Sequence, residues 1–360
     1  MATLKYWIVG LALVSSLACG SAPEKSPQIS QIPNTPECGA CTINTRELLV
    51  LSGPPSALVE WPQSATIDGQ GRVILAQPNK KAPPAVFGSD GQFIGFIGRE
   101  GAGPGEFRHA AHITVDLFDT LWIADWNPPR LSVVSPDLKV VRSFPIPGGV
   151  QSEVVPAPGK VALAAITFDG RRALAPIKVF DFIGNPIGTY GPNPTEPSHW
   201  DTQYRLAPDG SGGFWAVRLW GRHLILHVDS VGNERLFERT PTWFRGMAPG
   251  APTSSDASAA RAIWQDDGLL WIVFQVHAPA ANAVMDTVRP EGVPVAVARD
   301  PDSVYDTWVE VLDPRRLALV ASQRFDEVFA VSPGPGRLVR VQETDTGLRV
   351  SIVALQLHRP

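Results

Sequence analysis

The sequence predicts an all-β fold, and three observations support this prediction. Glycine (32) and proline (35) together make up about 19% of the 360 residues, against roughly 12% in average globular domains. Short segments of alternating apolar and polar residues recur along the chain and are separated by turn residues such as Asp-Gly. Neither the 3.6-residue period of amphipathic helices nor an alternation of strands and helices is present. Long helices should therefore be scarce.

The composition also limits the function. Hydrophobic residues make up 44% of the chain and charged residues 18%, which excludes bulk disorder. The net charge is −4, so the chain lacks the positive excess with which proteins neutralise nucleic-acid phosphates. We expect no nucleic-acid partner.

The first residues indicate export. Lys5 precedes an apolar stretch over residues 6–17, which is too short to cross a bilayer as a helix and is typical of a signal peptide. Residues 16–19, Ser-Leu-Ala-Cys, resemble a bacterial lipobox, although Ser16 stands where leucine or valine is usual. The resemblance implies that residues 1–18 are a lipoprotein signal peptide and that Cys19 carries the lipid. Ordinary secretory cleavage after Ala18 is the alternative.

A lipid on Cys19 would hold the chain on a membrane without a spanning helix. We therefore predict an extracytoplasmic protein anchored to the cell envelope. Gly20 follows the cysteine in place of the aspartate that retains many such proteins at the inner membrane. This favours the outer membrane if the host has one.

Residues 19–44 are interpreted as the lipidated cysteine and a proline-rich tether that ends in a CxxC pair, Cys38 and Cys41. The segment has few large apolar side chains and should be extended. In an oxidising compartment, a local disulfide between Cys38 and Cys41 is the expected state. A redox pair or half of a zinc site is the alternative.

The rest of the chain, residues 45–360, contains a repeated unit of an inner strand, a turn and a second strand, followed by an outer pair of strands. Six units are found, with a seventh left open within the insertion 277–305. The first two strands of the units fall at residues 65–78, 113–126, 154–166, 205–220, 262–275 and 328–343.

The sixth unit has only one outer strand, at 348–358, while the chain begins with an isolated strand at 45–52. Pairing these two strands would close the ring and remove its exposed edges. The sequence therefore predicts a six-bladed β-propeller closed by its N-terminal strand. Trp122, Trp215 and Trp271 share one second-strand position, where we expect them to fill the gaps between blades.

Residues 61–145 carry a family resemblance. The glycine-rich loop GAGPGEF (101–107), an inner strand that ends at Asp116, and a second strand that ends at Asp125 ahead of Arg130 resemble the repeat of NHL propellers. The resemblance implies that Asp125 and Arg130 tie the second strand to the third. The loop opens into a strand rather than a helix, so it is not a phosphate cradle.

Signatures of catalysis are weak. The chain has no HExxH motif and no GxSxG elbow. NHL-type lyases gather metal-binding histidines from different blades at the channel mouth, so a divalent metal there is what an enzymatic alternative requires. We predict no cofactor. The seven histidines are His109, His112, His199, His223, His227, His277 and His358.

One rim of loops collects aromatic and arginine side chains, the residue types enriched where proteins bind partners. The prediction is a monomeric envelope module that binds a protein, peptide or glycan through this rim. The alternative is a metal-dependent hydrolase or lyase on the same scaffold. The rim residues are Trp126, Arg130, His199, Trp200, Tyr204, Trp220, Arg222, Arg245, Arg261 and His277.

Overall fold

Six antiparallel sheets of four strands each surround a central channel in the computed structural model. Consecutive inner strands contact each other, and the inner strand of the last sheet contacts that of the first. The predicted six-bladed β-propeller is therefore confirmed. The residues described are 28–58, 62–76, 82–146, 149–166, 168–169, 172–173, 176–192, 203–246, 257–278, 285–288, 295–298, 304–345 and 347–360.

Two strands precede the first blade, β1 (Ile29–Gln31) and β2 (Thr42–Leu51). Blades one to three follow in chain order, and each runs from its inner to its outer strand. Blade one consists of β3 (Ser64–Ile67), β4 (Val73–Ala76), β5 (Ala85–Phe87) and β6 (Phe93–Phe96); the short pair β7 (Arg99–Glu100) and β8 (Glu106–Phe107) leads to blade two, with β9 (Ala110–Val115), β10 (Leu121–Trp126), β11 (Pro129–Val134) and β12 (Val140–Pro145); blade three has β13 (Gly149–Ala157), β14 (Lys160–Ile166), the hairpin β15 (Phe168–Asp169) and β16 (Arg172–Ala173), β17 (Ile177–Asp181) and β18 (Pro186–Tyr190).

Blades four to six repeat the plan, with a further hairpin inserted in blade five. No seventh blade is found among the described residues of the insertion. Blade four consists of β19 (Tyr204–Pro208), β20 (Phe214–Arg218), β21 (Leu224–Val228) and β22 (Glu234–Glu238); blade five of β23 (Ala259–Asp266), β24 (Leu269–His277), the hairpin β25 (Met285–Val288) and β26 (Val295–Ala298), β27 (Tyr305–Asp313) and β28 (Ala318–Phe325); blade six of β29 (Phe329–Gly334), β30 (Arg337–Thr344), β31 (Gly347–His358) and β2.

Strand β2 closes the ring. It pairs antiparallel with β31, from Thr42 opposite His358 to Leu51 opposite Val350. A bulge at Leu48 interrupts this long ladder. The closure joins the two ends of the chain by main-chain hydrogen bonds, as the strand pattern of the sequence predicted.

The propeller has two faces, which the strand directions define. We call the face where inner strands begin, and where second strands lead into third strands, the upper face. The lower face carries the hairpins between first and second strands and between third and fourth strands. All rim residues of the sequence analysis that are described here belong to upper-face segments.

The gaps between blades are filled by apolar side chains from both neighbours. Trp122, Trp215 and Trp271 are each 5% exposed or less and belong to three different inter-blade clusters. Trp215 donates from Nε1 to Gln265 Oε1 of the next blade at 2.7 Å. The tryptophan positions in the sequence thus predicted core packing correctly.

Residues 28–41, the N-terminal strap, lie along the outer edges of blades four and five. β1 adds a fifth strand to blade four by pairing parallel with β22. Farther on, the amide of Cys38 donates to Val320 O of β28 at 3.2 Å, and Cys38 and Cys41 form a disulfide with a Cα–Cα distance of 5.4 Å. The sequence analysis expected an extended tether and did not foresee that this part is docked on the ring. Within the described residues, no helix is long and apolar enough to cross a membrane.

Candidate functional site

The central channel holds a cavity of about 240 Å³ lined by the inner strands of all six blades. Its wall is mostly apolar or uncharged, with Thr66, Val155 and Ile263 among the lining residues. Glu153 of blade three also belongs to the lining. This carboxylate is the first of a group of polar side chains near the start of the inner strands, at the upper mouth of the channel.

Glu153 connects blade three to blade four. Its Oε1 accepts from Arg205 Nη1 at 3.2 Å, and its Oε2 accepts from the amide of Leu206 at 2.7 Å. Burial raises the pKa of Glu153, while Arg205 and the Leu206 amide oppose that rise. Arg205 is 3% exposed and also donates from Nε to Ala260 O at 3.3 Å. A buried, bridged arginine therefore stands at the mouth of the channel.

Arg261 brings a second cation from the neighbouring inner strand. It lies at a register shift between Ala260 and Ala262 and donates from Nε to Gln275 Oε1 at 2.6 Å. Burial, and then the charge of Arg205, lower the pKa of Arg261 to about 10. The mouth of the channel thus holds two neighbouring arginines, of which Arg205 is paired with Glu153, and the charge of each disfavours a further cation beside it.

His112 of blade two faces the same region. Its side chain is buried, and neither ring nitrogen has a hydrogen-bond partner. Burial and the charge of Arg205 hold the pKa of His112 well below its usual range, so the ring is neutral. Trp126 lies beside it, with ring centroids 6.3 Å apart, and the buried Nε1 of Trp126 also has no partner. Buried polar groups without partners are uncommon and are found at sites that bind or react.

Replacing His112 by leucine tests this arrangement through pH. Below pH 6.5, the ordinary pKa of histidine, the unfolded chain takes up a proton that folded His112 does not, so the free energy of unfolding falls as the pH falls. One such proton contributes up to about 1.4 kcal/mol per pH unit. In urea melts at pH 5 and pH 7.5, the free energy of unfolding should fall less on acidification for His112→Leu than for the wild type.

The matched control for this experiment is His358→Leu, because His358 is exposed at the end of β31. That variant should keep the acid sensitivity of the wild type. If His112→Leu is as acid-sensitive as the wild type, then His112 is protonated in the folded chain and the neutral ring described above is wrong.

The predicted rim residues differ in exposure and in hydrogen-bond partners. Trp220 is half-buried and donates from Nε1 to Gln203 Oε1 at 3.1 Å. Arg222 is 56% exposed in its side chain and donates from Nε to Glu238 Oε1 at 2.6 Å. Tyr204 is fully buried, and its hydroxyl accepts from Arg218 Nη2 at 3.4 Å. Trp220 and Arg222 therefore offer surface to a ligand, whereas Tyr204 is buried against Arg218 and does not.

Two further rim residues flank the channel mouth. The ring of His277 makes an edge contact with Tyr305, and its Nδ1 is 3.0 Å from Ala278 O. Arg245 is exposed, and its backbone amide donates to Ser258 Oγ at 2.9 Å. His199, Trp200 and the lipidation site Cys19 lie outside the described residues.

Arg130 is buried among loop carbonyls and a carboxylate, which indicates a structural role. It is 7% exposed and donates from Nη1 to the carbonyls of Ala102 and Gly103 at 2.9 and 2.8 Å. Its Nη2 is 3.3 Å from Asp125 Oδ2, and it also contacts Glu106 O. Arg130 therefore holds the glycine-rich loop against the end of the second strand.

Sequence reasoning did not select Glu153, Arg205 or Gln275, and His112 was considered only as one of seven histidines. The sequence nevertheless contains a signal for the residues that line the channel mouth. The units can be aligned on the first residue after the inner strand, or on the last residue of that strand in unit three. The position four residues before this point is polar in four blades. A polar residue repeated at the start of otherwise apolar strands indicates a lined channel. The position holds Ser64, His112, Glu153 and Arg205.

Metal ligands were also sought. Among the described residues, no group of three or more histidine, cysteine, aspartate or glutamate side chains lies close enough together to hold an ion. At the upper mouth, Arg205 and Arg261 oppose the binding of a cation.

Comparisons with known proteins define the class of fold. The chain superposes on a candidate exported protein of Bacteroides fragilis with a TM-score of 0.60, at 10% identity over 91% of this chain and 99% of that one. A DUF4221 family member from Bacteroides vulgatus gives a TM-score of 0.60, at 12% identity over 88% and 99%. A catalytically inactive variant of virginiamycin B lyase from Staphylococcus aureus, with quinupristin, gives 0.51, at 14% identity over 88% and 100%.

These identities show a shared propeller fold and no more. No protein-family model matches the chain, and no curated protein sequence matches it.

Proposed function

We propose that this propeller is a binding module of the cell envelope, and that its upper face binds an acidic group of a peptide or glycan at the channel mouth. The observation that carries the proposal is the pair of arginines on adjacent inner strands at one end of the channel, Arg205, which is buried, and Arg261, which is half-buried. Guanidinium groups bind carboxylates in a planar, bidentate geometry. An acidic group is therefore the ligand chemistry that this mouth suits.

The surroundings support the proposal. His112 and Trp126 bring buried nitrogens without partners to the same mouth, and a ligand oxygen could accept a hydrogen bond from the Trp126 Nε1. Trp220 and Arg222 on the blade-four loop provide the aromatic and charged surface that contacts the rest of a larger ligand. Trp200 and His199 are proposed for the same rim from the sequence alone.

Replacing Arg261 by glutamine is the direct test. Isothermal titration would use two probes, glutamate-rich peptides and uronic-acid oligosaccharides, each beside a neutral analogue in which the carboxyl groups are amidated. The loss of a charge-assisted hydrogen bond costs about 1.5–3 kcal/mol, so Arg261→Gln should weaken binding by about tenfold or more. Arg315→Gln is the matched control, because Arg315 is exposed and lies on the lower face, away from the channel mouth and the rim.

Two results would contradict the proposal. If the neutral analogues bind as tightly as the acidic probes, then the carboxyl group is not what is recognised. If Arg261→Gln and Arg315→Gln have equal, small effects, then the channel mouth is not the site.

The alternative is a metal-dependent hydrolase or lyase. One observation favours it: the ring of His112 is neutral and both its nitrogens lack hydrogen-bond partners, as a metal ligand requires. The arginines beside it favour the anion instead. Elemental analysis of the purified protein separates the two functions, because a stoichiometric metal would favour the enzyme.

The proposal includes the location and family type. We infer an NHL-like propeller that is monomeric, extracytoplasmic and anchored by lipid on Cys19, with the outer membrane favoured. The lipobox-like residues 16–19 support the anchor, and the Asp125–Arg130 tie supports the NHL likeness. The similar fold of a candidate exported protein agrees with this location.

A further inference from the structure

The lower face carries the most exposed large apolar side chains among the described residues. Leu117, Phe118, Ile183 and Val231 are 92%, 79%, 70% and 81% exposed, respectively. All four lie at the tips of lower-face hairpins in three consecutive blades, blades two, three and four. Apolar side chains clustered in one exposed sector mark an interaction surface.

The turns themselves do not require apolar residues at these positions. In each turn an aspartate begins the turn and its Oδ1 accepts from the amide two residues later: Asp116 from Phe118 at 2.9 Å, Asp181 from Ile183 at 3.0 Å, and Asp229 from Val231 at 3.0 Å. The side chain of that later residue takes no part in the bond. The residue type at the tip is therefore free to vary. The aspartate carboxylate, for its part, accepts hydrogen bonds within its own hairpin.

Other lower-face turns have the same aspartate bond with a polar tip. Gln70 in blade one, Ser211 in blade four and Arg315 in blade five occupy the equivalent position, each donating its amide to an aspartate at 2.8–3.0 Å. All three side chains are exposed. The apolar side chains at Phe118, Ile183 and Val231 are thus not required by the turn.

The N-terminal strap reaches the same sector. β1 is parallel to β22, with Ile29 opposite Leu236 and Gln31 opposite Glu238. β22 begins after the turn that carries Val231, so the N-terminal end of β1 points toward that lower-face turn. Cys19 lies ten residues before Ile29, and ten residues of extended chain span at most about 35 Å. An anchor at Cys19 would hold this sector close to the lipid.

We infer that the lower face of blades two to four lies against the bilayer, with the tips Leu117, Phe118, Ile183 and Val231 in the interfacial region. The inference rests on the proposed lipid anchor at Cys19. Apolar side chains beside a lipid anchor add a second membrane contact to the first. Because the two faces are opposite, the channel mouth with Arg205 and Arg261 then points away from the membrane and toward its ligand.

The test places a fluorescent label at a tip of the full, lipid-bearing chain. Cysteine is introduced by Phe118→Cys or Val231→Cys, labelled with an environment-sensitive dye, and the protein is reconstituted into phosphatidylethanolamine–phosphatidylglycerol vesicles. Cys38 and Cys41 are disulfide-bonded and an acylated Cys19 does not react, so a single label is expected. Nitroxide lipids should remove most of the fluorescence at both tips.

Two controls use exposed residues. Arg315→Cys occupies the equivalent turn position on blade five, and Arg245→Cys lies on the upper face; both labels should keep their fluorescence. Equal quenching at tips and controls, or none at the tips, overturns the inference. The inference is also overturned if the tip labels are shielded from water in the absence of vesicles, because a second copy of the chain then covers them. A second label per chain would show that Cys19 is unmodified, and the proposed lipid anchor would then be wrong. The ligand titrations at the channel mouth do not depend on this result.

Discussion

Replacing Glu310 by glutamine should lower the free energy of unfolding by about 3–5 kcal/mol, because it leaves a buried arginine without its counter-charge. Glu310 of β27 is fully buried between blades four and five. Its Oε2 is 2.8 Å from His223 Nε2, and its other oxygen contacts Arg239. Burial alone would raise the pKa of Glu310, but His223 and Arg239 outweigh it and the pKa is lowered.

Urea unfolding at pH 7 measures this effect, with Glu343→Gln as the exposed control. The replacement of all three partners, Glu310→Leu with His223→Phe and Arg239→Met, should recover most of the loss, because no buried charge then remains. A Glu310→Gln variant as stable as the control would show that Arg239 is solvated and that the blades are not joined here.

The triad also sets a pH dependence. The folded pKa of Glu310 lies below its ordinary value of 4.5. Its carboxylate therefore contributes stability above pH 4.5, and this contribution is lost as the pH falls through the lower, folded pKa. The loss from Glu310 begins near pH 4.5 and the loss from His112 begins near pH 6.5, so measurements between these two values report on His112 rather than on Glu310.

Replacing Arg130 by methionine should cost a similar amount, about 3–5 kcal/mol. The change removes the donors to three loop carbonyls and leaves the fully buried Asp125 without its cationic partner. Asp125 would still accept from the amides of Arg108 and His109 at 3.1 Å. Urea melts give the stability, and limited proteolysis should show faster cleavage within residues 101–107.

Arg99→Met is the matched control for this second experiment. Arg99 pairs with Glu106 of the same loop, at 2.7 Å, but its side chain is 80% exposed. Exposed ion pairs contribute about 0–1 kcal/mol, so this variant should unfold almost as the wild type does. Equal losses from Arg130→Met and Arg99→Met would contradict the structural role of Arg130.

The sequence predicted the architecture because its signals are local. Alternation over four to eight residues and turn residues at regular spacing locate each strand without knowledge of its neighbours. The isolated strand at 45–52 and the missing strand of the sixth unit then required each other, and β2 spans Thr42–Leu51 in the structure. The Trp122 position could likewise be predicted, since a tryptophan repeated at one place in three of the units belongs in the core.

The channel mouth was harder to predict, because its members come from blades that are distant in sequence. Glu153 and Arg205 are 52 residues apart and meet at 3.2 Å. A single charged residue at the start of a strand gives no indication of whether it meets a partner, a ligand or water. Rim prediction by loop position therefore selected Arg222 and Arg261 but overlooked Glu153 and Arg205 beside the channel.

The sequence by itself determined six repeated units, the strand that closes the ring and the tryptophans between blades, because backbone pairing and burial follow from short-range pattern. Only the tertiary structure decided that Arg205 and Arg261 share one channel mouth, that the strap docks on blades four and five, and that the apolar tips share one face. Those facts depend on strand direction and on the rotation from one blade to the next, which bring together side chains that no local pattern relates.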